Sequence, residues 1–264
     1  MTEITAAMVK ELRDATSAGM MDCKRALQET GGDFDEAVKL LREKGVASAA
    51  KRADRATSEG KVGVMVRDGV GAIAAVGCET EPVSNNDDFL AFAEKVLRTV
   101  FDGGDPAAHD DERIELSGRL GENVQVVGTK RMESTDGDVL SFYVHSPANR
   151  VGSLVRTNGG DPQAARSLAL HLTFGRPTYG SREEIPQDLV DAEREILMNS
   201  DEVQSKPENV REKIVEGQLS KRFYGEAVLS EQTWYKPDES TGTVSQYLAE
   251  HGIELLDYAW YSVS

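Results

Sequence analysis

The sequence contains only two cysteines, and it lacks long apolar runs. Cys23 and Cys78 are far apart and form neither a CxxC pair nor a disulfide framework, which is typical of a protein in a reducing compartment. The beginning of the sequence lacks the basic-then-apolar pattern of a signal peptide, and no apolar run is long enough to span a bilayer. We therefore expect a cytoplasmic protein that does not interact with a membrane.

Motifs of catalysis and of cofactor binding are also missing. The four histidines are scattered without the spacing of zinc ligands, and there is no GxxxxGK[ST] loop to hold a phosphate. Gly69-Val70-Gly71 lies in a predicted hairpin that continues as a strand rather than a helix, which argues against a dinucleotide fingerprint. We expect no enzyme activity, no metal site and no cofactor. A hydrolase is the alternative, and it requires paired carboxylates with shifted pKa values in a cleft.

Positive charge is scarce as well. Thirty Lys and Arg residues stand against 46 Asp and Glu residues, so the net charge is −16 over 264 residues. Binding to nucleic-acid phosphates depends on clustered Lys and Arg, and the balance argues against direct contact with nucleic acid. One basic cluster, Lys51–Arg55, leaves contact with RNA open as an alternative, but a solvated linker explains it better.

Residues 1–45 have the pattern of three short helices. Thr5 is a suitable N-cap for the first helix, Gly31-Gly32 ends the second, and Asp33 begins the third with a sequence that resembles a capping box. Gly45 is expected to end the third helix. Three helices of this length suit a ubiquitin-associated-like module, which is small for independent folding and better suited to binding than to catalysis.

Beyond a small, basic and polar linker at residues 46–59, the period of the apolar residues changes to two, as in strands. Residues 60–137 form the first of two predicted subdomains. Its strands are expected at 61–67, 72–78 and 123–131, its hairpin turn at 68–71, its helix at 89–100, and a loop or short helix at 105–118.

Residues 138–264 repeat the order of strand, turn, strand and helix, and form the second predicted subdomain. Its elements are expected as strands at 138–145, 150–157 and 254–263, helices at 163–174 and 246–250, and a helical hairpin at 186–224 with arms 186–203 and 207–224. The predicted fold class is therefore α+β, with an N-terminal three-helix ubiquitin-associated-like domain, then two related subdomains with small antiparallel sheets and a helical hairpin.

A pair of methionines follows the turn between the first two predicted helices. Residues 12–27 read LRDATSAGMMDCKRAL, so Met20 and Met21 come directly after a turn of small residues, where solvent is expected. Methionine is adaptable and recurs at protein-binding surfaces. The alternative is that both side chains fill the core.

This string closely resembles the N-terminal signature of the elongation factor Ts family. Four further stretches are similar to the family in the same order: GGDFDEA at 31–37, GENV at 121–124, the stretch around His145, and KIVEGQL at 213–219. The resemblance implies a guanine nucleotide exchange factor that binds elongation factor Tu, with GDP or without nucleotide, and opens its magnesium and phosphate site without covalent chemistry. The alternative is a relative that binds elongation factor Tu as a chaperone or scaffold. A higher-order complex is left open.

The resemblance also implies site residues. Arg13, Met20 and Met21 match the face for the partner's nucleotide-binding domain. His145 matches a contact to the far domain of elongation factor Tu, although a solvated strand end explains it equally well on sequence alone. Trp234 and Tyr235 lie where that contact continues, as an exposed hot spot or, equally often, as core. His171 is interpreted as packing or capping.

The loop at Thr80, Glu81, Pro82 and Val83 matches the element that dislocates magnesium in the family, where the sequence typically reads Thr-Asp-Phe-Val. Without the family, a turn that caps the next helix is the better interpretation. Thr80 and Val83 match, whereas Glu81 replaces Asp with one extra methylene and Pro82 replaces the aromatic residue. Proline cannot insert a flat ring, but its fixed φ stiffens the loop. We therefore carry over the location and role of the loop, and not an aromatic wedge.

Overall fold

The computed structural model describes residues 4–16, 18–135, 137–159 and 161–263. Helices and strands are mixed along the chain, and the strands form two small sheets, as the predicted α+β class requires. The described residues form two compact units. The first contains the chain up to Glu133, the segment Val144–Gly152 and the chain end from Tyr261; the second contains Ser134–Tyr143 and Ser153–Trp260.

Three helices open the first unit: α1 (Ala6–Thr16), α2 (Met20–Glu29) and α3 (Phe34–Ala50). Their starts confirm the predicted caps, since the Met8 amide donates to the Thr5 hydroxyl at 3.3 Å and the Glu36 amide to the Asp33 carboxylate at 2.9 Å. Gly31 and Gly32 have positive φ after α2, as its predicted end requires. The small core of these helices includes Leu12, Cys23, Leu27 and Ala37.

The predicted end of α3 at Gly45 is wrong. The helix continues through Gly45 to Ala50 and so takes up part of the expected linker. Gly45 instead lies where α3 crosses α6 (Asp110–Leu120), backbone against Gly118. Glycines without side chains let two helix backbones approach closely, so Gly45 lies at a helix crossing rather than at a helix end.

An antiparallel sheet of β1 (Glu59–Arg67), β2 (Val70–Cys78) and β3 (Gln125–Glu133), in that order, completes the first unit. The β1–β2 turn is Asp68-Gly69 alone, and both residues have positive φ, as a two-residue type I′ hairpin turn requires. One face is covered by α5 (Asp87–Phe101), whose residues Phe89, Phe92, Val96 and Val100 are buried. The segment expected as a loop or short helix is a 3-10 turn, Pro106–His109, followed by α6.

The second sheet has the order β4 (Asp138–Val144), β5 (Val151–Asn158) and β6 (Glu254–Ser262), and α7 (Pro162–Gly175) follows β5. In both sheets the third strand of the chain therefore pairs with the second, and a helix follows the second strand. This agreement supports the predicted repeat of one structural pattern. The core of the second unit includes Leu168, Leu172, Trp234 and Tyr247.

The helical hairpin is interrupted in both arms. The first arm is α8 (Gln187–Met198) and α9 (Asp201–Gln204), separated at Asn199-Ser200, where the Ser200 hydroxyl caps the shorter helix. The second arm is α10 (Glu208–Gln218), which continues as a π-helical stretch, Leu219–Tyr224, and then α11 (Gly225–Ala227). A helix α12 (Val244–Glu250) precedes β6. None of the helices in the described ranges combines the length and apolar character that a membrane crossing requires.

Candidate partner-binding site

Arg13, Met20 and Met21 line one groove between α1 and α2, with a volume of about 650 Å³. The methionines are 55% and 64% exposed, so the alternative that they fill the core does not apply. The core position at the start of α2 is taken by Cys23, which is fully buried. Exposed adjacent methionines offer an apolar surface that adapts to a partner.

Charged side chains surround the apolar surface of the two methionines. Lys10, Arg13 and Lys24 line the groove together with one acidic residue, Asp14. The groove is thus locally cationic in a chain whose net charge is −16. An apolar surface with a basic rim is complementary to a partner protein that presents apolar side chains next to carboxylates.

The loop after β2 is short and ordered. Thr80 precedes a single helical turn, α4 (Glu81–Ser84), and Asn86 caps α5 by accepting hydrogen bonds from the amides of Asp88 and Phe89. The side chains of Thr80, Glu81 and Pro82 are exposed, whereas Val83 packs against the core of the first unit. The loop therefore both starts the next helix, as a structural role predicts, and holds an acidic residue and a proline in solvent.

The polar corner after α6, formed by Glu122 and Asn123, is hydrogen-bonded to the start of this loop. The Glu122 carboxylate accepts hydrogen bonds from the amides of Glu79 and Thr80, both at 3.0 Å, and from the Thr80 hydroxyl at 2.5 Å. In return, the Glu79 carboxylate accepts from the Asn123 amide at 2.7 Å. Sequence reasoning assigned no role to Glu122 or Asn123. Their only signal was the string GENV at 121–124.

The thiol beneath the loop is not a nucleophile. Burial raises the pKa of Cys78 to about 12, so the thiol stays protonated at neutral pH and donates a hydrogen bond to the Thr80 carbonyl at 3.4 Å. Cys78 therefore contributes to packing and to the shape of the loop.

The β4–β5 turn lies beside the loop. A cavity of about 320 Å³ is lined by Glu81 and Asn85 on one side and by Pro147, Ala148 and Arg150 on the other. The Lys61 ammonium bridges them, since it donates to the Asn85 side chain at 3.0 Å and to the Ala148 carbonyl at 3.1 Å.

His145 begins this turn with an exposed side chain. Its amide donates to the Val151 carbonyl, and its carbonyl accepts from the Asn149 amide, both at 3.0 Å. His145 and the loop at residues 80–83 therefore belong to the same compact unit, the first one.

Trp234 is a core residue. It is 2% exposed and stacks between Tyr247, with ring centroids 3.6 Å apart, and His171, at 5.1 Å. Of the two alternatives for the Trp-Tyr pair, the core therefore applies to Trp234, while Tyr235 is half-buried and keeps part of its surface in solvent.

The interpretation of His171 as packing is confirmed. The Gln232 amide nitrogen donates to the carbonyls of Gly175 and Glu226, so its oxygen faces His171, whose Nε2 must donate at 2.9 Å. Burial lowers the pKa of His171. The ring is thus neutral at pH 7.

No group of three or more His, Cys, Asp or Glu side chains in the described part of the chain converges to hold a metal ion. Among the described residues, two carboxyl groups have clearly shifted pKa values, and both shifts are downward. Hydrogen bonding to the Thr135 amide lowers the pKa of Asp138, and a backbone hydrogen bond at its own residue lowers the pKa of Glu183. A general acid requires an upward shift, so neither group supports the hydrolase alternative.

Comparisons with known proteins agree over most of the chain. The family model described as elongation factor TS matches residues 79–264. The elongation factor Ts of Deinococcus deserti is 40% identical, with 93% of this chain and 95% of the relative covered. That of Chlorobium phaeobacteroides is 39% identical, covering 95% and 93%. That of Thioalkalivibrio sulfidiphilus is 38% identical, covering 98% and 92%.

Proposed function

Because the chain belongs to the elongation factor Ts family, we propose that it is a translation elongation factor that releases GDP from elongation factor Tu. No bond is made or broken in this role. The factor binds the GDP-bound partner and stabilises a state in which the magnesium and phosphate contacts are disrupted. Nucleotide and factor then oppose each other's binding by linkage.

The groove of Arg13, Met20 and Met21 supplies the first contact in this proposal. Two exposed methionine side chains bury apolar area when a partner covers them, and a buried CH₂ contributes about 0.8 kcal/mol. The surrounding cations orient the partner by its charge rather than adding much affinity. The groove lies on the ubiquitin-associated-like module that the sequence predicts at residues 1–45, and α3 of that module continues to Ala50.

The loop at Thr80–Val83 supplies the second contact. The Glu81 carboxylate is exposed and has no hydrogen-bond or ion-pair partner among the residues that the structure describes. A carboxylate held near the partner's magnesium and phosphates competes for the cation and repels the phosphate oxygens. Pro82 restricts the backbone beside it. We therefore propose that the Glu81 carboxylate on a stiff loop, rather than an inserted aromatic ring, disrupts the partner's magnesium and phosphate site.

His145 and Tyr235 supply the proposed contacts to the far domain of elongation factor Tu, and Trp234 supports Tyr235 from the core. Centroids of the Trp234 and Tyr235 rings lie 5.1 Å apart. Rings packed in this way hold a half-buried tyrosine at low entropic cost.

Release of a fluorescent GDP analogue from the cognate elongation factor Tu tests the proposal. We expect the natural protein to accelerate release by orders of magnitude, and Glu81→Gln to lower the rate about tenfold, within the usual range of coupling between sites. Glu43→Gln is the matched control, since Glu43 is an exposed glutamate of α3 outside the loop.

The double variant Glu81→Asp, Pro82→Phe separates the exchange factor from a binding chaperone or scaffold. An unchanged or moderately changed exchange rate in this variant supports the proposal that a carboxylate at position 81, and not an aromatic ring, disrupts the partner's site. If the natural protein binds without accelerating release and the double variant restores exchange, the chain is a binding relative and the proposed function fails.

A further inference from the structure

The loop that carries Glu81 is held by a polar corner formed at the end of α6. Gly121 ends α6 in the left-handed conformation, with φ of 76°, and this turns the chain toward the loop. The next residue, Glu122, is half-buried, and its own carbonyl accepts a hydrogen bond from the Ser117 hydroxyl. Glu122 is therefore anchored at its backbone before its side chain reaches the loop.

The three hydrogen bonds to the Glu122 carboxylate fall on Glu79 and Thr80, the two residues that precede Glu81. Bonds to an ionised acceptor are shorter and stronger than neutral ones. On the other side of Glu81, its carbonyl accepts from the Ser84 hydroxyl at 2.8 Å and from the Asn85 side-chain Nδ2 at 3.1 Å. The backbone of the loop is thus fixed on both sides, while the Glu81 side chain is left in solvent.

The same corner holds the segment that leads from α3 to β1. The Asn123 side chain is buried and donates to the carbonyls of Ala53, at 3.1 Å, and Arg55, at 2.8 Å. The Arg55 guanidinium reaches the Glu79 carboxylate at 3.3 Å. Arg55, Glu79 and Asn123 form a closed ring, so the corner joins the chain behind the three helices to the base of the loop.

We infer that Glu122 is a positioning residue for nucleotide exchange, because it fixes the backbone of Glu79 and Thr80 so that Glu81 meets the partner in one conformation. This inference rests on the proposed function. It assigns the maximal exchange rate, rather than the affinity for elongation factor Tu, to a side chain outside the loop. A loop that samples several conformations still allows the groove at α1 and α2 to bind, but it presents the carboxylate correctly only part of the time.

The test compares Glu122→Ala with Glu122→Gln, and uses Glu112→Ala as the matched control on α6, the helix that precedes Glu122. Glu112 pairs with Lys95 at 2.8 Å and does not contact the loop. The alanine variant removes both carboxylate oxygens and with them all three hydrogen bonds. The glutamine variant keeps an oxygen for the two amides and offers an NH₂ to the Thr80 hydroxyl, so it is expected to rescue most of the rate.

Two readouts are needed. In stopped-flow release of a fluorescent GDP analogue, Glu122→Ala should lower the maximal rate about tenfold to hundredfold with the half-saturating concentration nearly unchanged. In amide hydrogen exchange of the isolated protein, the amides of Glu79 and Thr80 should lose protection, while amides within α5 keep theirs.

A full maximal rate in Glu122→Ala, an equal loss of rate in Glu112→Ala, or unchanged protection of the two amides would each overturn the inference. A rise of the half-saturating concentration by the same factor as the fall in rate, or loss of the cooperative unfolding transition of Glu122→Ala, also overturns it, because either result shows a structural role alone. If the natural protein itself fails to accelerate release, the proposed function fails first, and the amide exchange still decides whether Glu122 holds the loop.

Discussion

Gly45 and Gly118 meet at the crossing of α3 and α6, and the contact is asymmetric. A methyl group on Gly118 would lie 2.7 to 2.8 Å from backbone atoms of Gly45, whereas one on Gly45 would lie 3.5 Å from the Gly118 Cα. The first distance is a steric clash with backbone, and the second is an ordinary van der Waals contact. The crossing therefore requires a glycine in α6 more strictly than in α3.

This asymmetry predicts opposite effects of two equal substitutions. Gly118→Ala should destabilise the protein by about 1–3 kcal/mol, because the helices must separate. Gly45→Ala should be neutral or stabilising by up to about 1 kcal/mol, since alanine is preferred to glycine inside a helix. Urea unfolding followed by circular dichroism measures both. Equal effects of the two variants would contradict the asymmetric contact.

The exposed methionines should contribute to binding and not to folding. The double variant Met20→Ala, Met21→Ala should weaken binding to elongation factor Tu by about 1–3 kcal/mol, because both side chains lose apolar area that the partner covers in the proposed complex. The stability should change by less than about 0.5 kcal/mol for each exposed site. Isothermal titration calorimetry with the GDP-bound partner measures the affinity.

Ile196→Ala is the matched control for Met21, since Ile196 is also 64% exposed but lies on α8 in the second unit. Its affinity should be that of the natural protein. A loss of affinity in Ile196→Ala as large as that in the methionine variant would remove the case for the groove.

The stacked core of the second unit predicts a contrast between neighbours. Trp234→Ala should cost about 3–5 kcal/mol of unfolding free energy, because it leaves a cavity between Tyr247 and His171. Tyr235→Phe should change the unfolding free energy by about 1 kcal/mol or less, since phenylalanine keeps the ring and its contact with Trp234. Thermal and urea unfolding compare them, and a small effect of Trp234→Ala would contradict its core position.

Burial lowers the pKa of His171 below that of the unfolded chain, which is near 6.5. As the pH falls through about 6.5, the unfolded state binds a proton that the folded state does not, so the protein loses stability. The loss has a slope of at most about 1.4 kcal/mol per pH unit and ends below the folded pKa.

Unfolding free energies of the natural protein and His171→Gln, measured between pH 7.5 and 5.5, isolate this residue. The difference between the two proteins should shrink as the pH falls, because glutamine does not titrate. A difference that is constant over this range would show that His171 is not held neutral by burial.

Local sequence patterns were sufficient wherever a neighbour within a few residues decides the structure. The caps at Thr5 and Asp33 follow from side chains that reach an amide three residues away. The position of the first hairpin follows from Asp68-Gly69, which adopts positive φ at both residues. The family resemblance located the loop at residues 80–83 as well, although it assigned no role to the residues that hold it.

The sequence alone determined the α+β class, most helices and strands, and the family, because helix and strand periodicity, caps and turns are local properties of the chain. The tertiary structure decided why Gly45 lies inside a helix, why Trp234 is core, and how Glu122 reaches a loop 42 residues away along the chain. Each of these depends on a neighbour that is distant in sequence. Local patterning cannot encode such a contact, because the same residue suits a helix end or a helix crossing, and a surface or a core, until folding supplies the partner.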